Sequence, residues 1–382
     1  MRRWVSWIAI VCCFLGLTGC SLPQVAAEDR LFLPLKAEFL GSYTLVENKF
    51  QDTDVGGLSA IAYDRKNDLY YAVSDDRSDH NPARFYTLKF NIDQTPALKS
   101  VEVKKVTTLK DEDGNPFEKG TIDAEGIVLS PQKSVFISSE GSVGDGIPPF
   151  IGEFDLQTGQ LKRKLKLPES YYPDATGVKQ TRGIQDNRGF EALSLNAGAA
   201  TAPPAEPFRL FAAVESPLVQ DLSLPNRSET SLNRLLHYQF IGGQSALISE
   251  QAYPLDAKPV GAIEHGLTDL LSIDQGGHFL SLERSFGLTG FKGKLFQVET
   301  GTATDTSMIE TLQDAQGAQT ARKELLLDLN ELGIRLDNLE AMTLGSRLPD
   351  GSHSLIMMSD DNFQGFAQIT QFLLFRLTGL KG

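Results

Sequence analysis

Acids recur in this sequence inside and at the ends of apolar runs that look built for a protein core. In NLEAMTLGSRLPDGSHSLIMMSDDNF (338–363), Glu340 sits within one run, and Asp360 and Asp361 end the next. The same order of apolar run, polar turn, second run and acid appears in GGLSAIAYDRKNDLYYAVSDDRSD (56–79), IDAEGIVLSPQKSVFISSEGS (122–142), GFEALSLN with FRLFAAVESPL (189–196, 208–218) and HGLTDLLSIDQGGHFLSLERSFG (265–287). In the first run a polar residue repeats in one frame, at Ser59, Glu125, Glu191, Thr268 and Glu340; the second run closes on Asp75, Glu140, Glu215, Glu283 and Asp360. Five matches at intervals of about 65–77 residues mark an internal repeat. Carboxylates brought together repel one another and need cations or arginines beside them. Arg77, after Asp75 and Asp76, and Arg284, after Glu283, are placed to serve.

The elements that must position these acids are strands. After each pair comes a third alternating or apolar segment: RFYTLKFNI, PFIGEFDLQTG, NRLLHYQFIGG, GKLFQVETG and QITQFLLFRLTG. A fourth follows in four repeats: SVEVKKVTTLK, QLKRKLKLP, SALISEQAYPLD and ARKELLLDL. The fifth repeat ends after its third strand, while KAEFLGSYTLV (36–46) stands alone ahead of the first. The expected fold is therefore all-β: a β-propeller of five four-stranded blades, the last completed by the N-terminal strand. A six-bladed ring stays open, because the connections at 170–188, 197–207 and 301–320 are long. NAGAATAPPAEP (196–207) reads as an excursion, and TARKELLLDLNELG as the place for a short helix. In such a ring the inner strands line the axis, so their polar positions converge into rings of carboxylates.

Arg2 and Arg3 precede the apolar run WVSWIAIVCCFLGL, which ends in LTGC; this is the order of an export signal, and the run is short for a membrane span. LTGC resembles the bacterial lipobox, so the expected organisation is a signal over 1–19, a tether over 20–35 lipidated at Cys20, and the propeller over 36–382, held on the periplasmic side of the bacterial envelope. A plain signal peptide cut near 26–27 is the other reading. Residues 21–382 contain no cysteine, which excludes disulfides, thiol catalysis and cysteine-ligated metals. Removing residues 1–19 takes away two arginines and no acid, leaving a net charge of −15 that opposes nucleic-acid binding and suits cations. A closed ring needs no second copy to cover its edges, so a monomer is expected.

The ordered series DDR (75–77), DAEG (123–126), SSEG (138–141), FEAL (190–193), VES (214–216), LER (282–284), NLEA (338–341) and SDDNF (359–363) resembles the bacterial phytase-like domain family, described as having esterase-like activity, over nearly all of 38–378. The family is similar in suspected architecture to calcium-dependent propeller phytases. The resemblance implies calcium as cofactor, which oxygen ligands favour, and a small phosphorylated or ester substrate. It makes Asp75, Glu140, Glu215, Glu283, Asp360 and Asp361 candidate metal ligands. Glu125, Glu191 and Glu340 are candidates for ligand or base, with Arg77 and Arg284 contacting the anion.

Other chemistries lack their signatures. No G-x-S-x-G elbow, H-E-x-x-H pair or glycine-rich phosphate loop occurs. DEDGNPFEKGTID (111–123) has Pro116 where a calcium loop needs glycine and Ile122 where it needs glutamate, so it reads as a solvated turn. Among the histidines only His80 lies beside the expected ring. The sequence therefore carries two readings: a calcium-assisted phosphoester hydrolase, or a non-catalytic propeller whose acidic face binds a ligand or protein around structural calcium.

Overall fold

The chain enters the fold through strand β1 (Lys36–Thr44), and a two-residue hairpin, β2 (Lys49–Phe50) and β3 (Thr53–Asp54), leads to the first repeat. Four antiparallel sheets then follow in order: β4–β7 (Leu58–Asp64, Leu69–Ser74, Arg84–Ile92, Leu98–Thr108), β8–β11 (Ala124–Leu129, Ser134–Ser139, Phe150–Asp155, Leu161–Lys164), β12–β15 (Phe190–Leu195, Phe208–Val214, Ser231–Ile241, Gln244–Leu255) and β16–β19 (Ala262–Ser272, His278–Gly287, Gly290–Glu299, Arg322–Asp328). The fifth is β20 (Asn338–Arg347), β21 (His353–Asp360), β22 (Gln371–Thr378) and, at its outer edge, β1, which pairs antiparallel with β22 from Lys36↔Thr378 onward. This computed structural model describes residues 31–222, 231–315 and 317–380; the expected export signal and the expected lipidation site at Cys20 lie outside them.

The first strands of successive blades touch in cyclic order, β4 to β8, β12, β16, β20 and back to β4. The fold is thus a five-bladed β-propeller with these strands innermost. Among the described residues, the long connections add short 3-10 turns, such as Glu169–Tyr171 and Leu312–Asp314, and no sixth four-stranded sheet. The expected helix near 320–333 is strand β19 followed by one 3-10 turn, Leu329–Leu332.

Burial explains why the inner strands read as unbroken apolar runs. Each is covered on both faces by neighbouring blades, so β9 (SVFISS) is buried throughout, whereas the outer β7 alternates between buried and exposed. Aromatic rings lock successive blades together: Phe90 meets Phe372 edge-on at 5.0 Å, Phe136 meets Phe240 at 5.1 Å, and Phe211 meets Phe279 at 4.8 Å. Strand direction sets the two ends of the ring. First strands start, second strands end and third strands start on one face; β1 begins, at Lys36, on the opposite face.

Candidate functional site

Every first strand carries a register shift against its partner at the same point of the blade, and the residue skipped is Ser59, Glu125 with Gly126, Glu191, Thr268 or Glu340. A bulge of this kind breaks the alternation of the pleat and re-aims the extra side chain. This is how an acid fits inside an apolar strand: its neighbours pack between blades while the bulged residue turns to the axis. Glu125, Glu191 and Glu340 line a cavity of about 1120 Å³ on the ring's first-strand face, together with Asp75, Glu215, Arg77 and Arg284. The two non-acidic members donate instead to carbonyls of the next blade: Ser59 to Glu125 O at 2.9 Å and Thr268 to Leu339 O at 3.2 Å. Neither hydroxyl donates to a histidine or carboxylate that would activate it as a nucleophile.

The pairing register corrects one repeat. Leu58 faces Ser74, Ala124 faces Ser139, Phe190 faces Val214 and Leu339 faces Ser359, but Leu267 faces Glu283. The residue equivalent to Asp75, Glu140, Glu215 and Asp360 is therefore Arg284, and Glu283 lies one residue out of frame. One step along a strand reverses the face. Glu283 accordingly turns away from the cavity, accepting hydrogen bonds from the Tyr253 hydroxyl at 2.6 Å and from Lys323. Arg284 enters the ring as a cation, 3.5 Å from Glu215, 3.3 Å from Glu264 and 3.6 Å from Glu340.

Asp123, Glu125 and Glu140 each present a carboxylate oxygen within 4.8 Å of the other two, the spacing of a shared cation site. Burial is the largest influence holding Glu125 and Glu140 well above the ordinary carboxylate range; Glu191, Asp123 and Asp75 add to it for Glu125, and Asp123 and Glu215 for Glu140. Asp123 is also raised by burial, against the relief of its ion pair with Arg77. Burial pushes Glu191 well up and Glu340 to about 7; Arg284 moderates both, and the Asn338 amide at 2.7 Å relieves Glu340 further. A set raised in this way either keeps protons at neutral pH or exchanges them for a cation. Ten described lining residues are acids and five are arginine or lysine, so the protein's own cations leave the deficit open.

Besides Glu283, three predicted residues stand apart from the cavity wall or behind it. Asp361 is taken up by the N–H groups of Gly57 at 2.8 Å and Phe363 at 3.0 Å and by the Thr370 hydroxyl at 3.2 Å. Asp360 accepts from Asn362 N–H at 2.8 Å, its other oxygen has no hydrogen-bond partner, and burial with the nearby Asp75 raises its pKa well above normal. Glu140 lies behind the lining and accepts the N–H of Gly189. Asp75 is raised likewise, by burial and then by Glu340 and Asp123. Asp76, next to it, is a structural anchor: it pairs with the buried Arg84 at 2.6 Å and caps the N–H groups of Asp79, His80 and Asn81. Residues 111–121 are the expected turn, with Asp111 accepting the Asn115 N–H at 2.8 Å, but Ile122 and Asp123 at the end of the segment are buried. His80 lines the cavity mouth, its ring stacked on Phe363 at 4.4 Å.

Sequence reasoning did not single out Asp123, although its frame gave a signal. Two residues before the bulge, blades one, three and four have Gly57, Gly189 and Gly266, where blade two has an acid. The glycines make room: a Cβ on Gly57 would lie 2.1 Å from Asp75 Oδ1, and one on Gly266 2.5 Å from Glu215. Gly57 also has φ +59. Gly57→Ala is expected to cost about 1–3 kcal/mol through strain and contact together. Gly351→Ala, with φ +84 and nothing within 4 Å, isolates the strain. Equal falls in melting temperature for the two variants would show that the Asp75 cradle yields freely.

Residues 53–363 match the family model Phytase-like, described as esterase-like activity of phytase. No curated protein matches the chain. Solved structures similar to it include the catalytic domain of a GH62 α-L-arabinofuranosidase from Coprinopsis cinerea, at 11% identity over 89% of this chain and 97% of that one, TM-score 0.42. An endo-arabinase from Bacteroides thetaiotaomicron is 11% identical over 86% of this chain and 97% of its own, TM-score 0.42. At these scores neither brings an activity to this chain.

Proposed function

The chain belongs to the phytase-like family, and from that premise we propose that it hydrolyses phosphate esters in the acidic axial cavity with calcium as cofactor. The observation that carries the reading is the Asp123, Glu125 and Glu140 triad, with arginines placed against the acids next to it. The donor set fits the ion. All three ligands are hard carboxylate oxygens, the Glu125 carboxylate receives no hydrogen bond from the described residues, and burial makes each charge costly until a cation meets it. Bound there, calcium supplies positive charge that polarises a phosphoryl oxygen and acidifies a water.

The remaining work falls to the chain. Arg77, held by Asp123 and Asn187, and Arg284, held among Glu215, Glu264 and Glu340, orient the anion from two sides. Glu340, titrating at about 7, and Glu191 are the acids outside the triad that take a proton from attacking water. Asp75 and Glu215 complete the negative wall and serve as further calcium ligands.

We extend the proposal to place and partner. Lipid on Cys20 holds the mature protein to the envelope as a monomer, and its ligand is a small ester, not nucleic acid. Because β1 starts on the face opposite the cavity, the cavity opens away from the end at which the tether joins.

The test is calorimetric titration of the mature chain with calcium, alongside hydrolysis of a simple phosphomonoester. Glu125→Gln removes one charged ligand and is expected to weaken calcium binding roughly tenfold or more, with turnover falling in step. Calcium binding without any turnover would leave the non-catalytic propeller standing; no calcium binding would remove both readings.

A further inference from the structure

Resting on the reading above, we propose that the substrate is an anionic ester whose other half is apolar, an aryl or branched alkyl group, and not a polyol carrying many phosphates.

Blade four departs from the other blades on the cavity side. In β4, β8 and β12 the bulged residue is the second of the strand, but in β16, Ala262–Ser272, Thr268 is the seventh. The hairpin of β17 and β18 continues with it past Arg284 to its turn at Gly287–Gly290. Blade four thus rises above the acid ring as a wall. At its top Phe286 and Phe291 are a directly opposed cross-strand pair, ring centroids 4.6 Å apart, half-buried and lining the cavity. Blade five continues the surface with Ile334, Phe363 and Ala367, and Arg335 ties its two segments by donating to Ala367 O at 3.3 Å.

The placement around the ring matters. With five blades in cyclic order, blade two stands across the axis from blades four and five. The Asp123, Glu125 and Glu140 triad and the apolar wall therefore face each other over the cavity. An ester with its phosphoryl group at the triad directs its remaining half at Phe286, Phe291 and Ile334. An apolar group there removes these rings from water; a second phosphate would lose hydration against them and meet the surplus of acids elsewhere on the wall. Lys292 and Arg335 sit at the edge of this surface, exposed.

Binding separates this inference from hydrolysis. Phenylphosphonate and methylphosphonate carry the same anion and neither is hydrolysed, so both are titrated calorimetrically into the calcium-treated protein. Phenylphosphonate is expected to bind roughly tenfold tighter or more, the discrimination an apolar pocket supplies for a group of this size. Phe291→Ser, and independently Ile334→Ser from the other blade, are expected to shrink that preference, which keeps the test valid if one variant folds poorly. Ile241→Ser, exposed on the opposite face, retains it. Equal binding of the two phosphonates, binding of neither, or a preference that survives both variants overturns the proposal. A clear preference with no hydrolysis of phenyl phosphate keeps the apolar wall and removes the hydrolase reading.

Discussion

Stripped of divalent cations, the protein should lose about 3 kcal/mol or more of stability between about pH 6.5 and about pH 8.5. The sign follows from the direction of the shifts. A carboxyl whose folded pKa lies above its unfolded one keeps a proton in the folded state that the unfolded chain has released, so stability falls as pH rises through the folded value. Glu340 and Asp269, both raised to about 7 by burial, each contribute about 1 kcal/mol over this window. Glu125, Glu140, Glu191, Asp75 and Asp360 are all raised by burial in the same direction and add to the loss. Their mutual repulsion means they do not all contribute in full. The window is chosen to avoid His237, which burial and Arg209 hold at about 4, and which works in the opposite sense below its ordinary value of 6.5.

Calcium should reverse most of this trend, because it binds the deprotonated set; thermal melts at fixed ionic strength, with chelator and with calcium, measure both arms. A small calcium-insensitive part should persist, since Asp269 lies at the other, apolar end of the axis, holding the N–H groups of Leu270 and Met342. A chelated protein whose melting temperature stays level or climbs across the window would mean that the ring acids are already satisfied, and the case for a cation would go with it.

The propeller was legible because each blade repeats one physical problem. Strands buried on both faces must be apolar, so a polar residue recurring in one frame announced its turn toward the axis, as Glu125, Glu191 and Glu340 did. The closing role of β1 followed from a repeat short of its last strand. What defeated the sequence was local. The frame at SLERSF offers two adjacent polar residues, and nothing in the alternation says whether Glu283 or Arg284 turns inward; the strand register decides it. The five bulges have no signature beyond the polar residue they re-aim. Asp123 was overlooked because it occupies a frame held by glycine in blades one, three and four, where the informative comparison is among Gly57, Gly189 and Gly266 and not among acids. The apolar wall joins Phe286 and Phe291 of blade four to Ile334 and Phe363 of blade five, positions that share no recurring frame, so the alignment of blades did not raise it.

Arg284→Gln is the substitution that most directly tests the corrected register. This guanidinium is the cation that blade four places in a ring of carboxylates, buried between Glu215, Glu264 and Glu340 at 3.3–3.6 Å. Glutamine keeps much of the side chain's length and removes the charge, leaving buried acids without their partner, a change that costs about 3–5 kcal/mol. The cost should depend on pH. In cation-free protein at about pH 8.5 the full loss is expected, while at about pH 5 Glu340, raised to about 7, holds its proton and Glu215 is shifted the same way by burial, so the loss should be smaller. Arg284→Lys should recover only part, since a compact ammonium cannot spread over three carboxylates as a planar guanidinium does. Glu283→Gln should behave differently, because its partners are Tyr253 and Lys323 on the other face of the strand, so its effect leaves the ring's titration in place. If Arg284→Gln lost the same stability at both pH values, the arginine would be holding the blade by packing alone, and the ring would not be the store of unmet negative charge that the proposed calcium site requires.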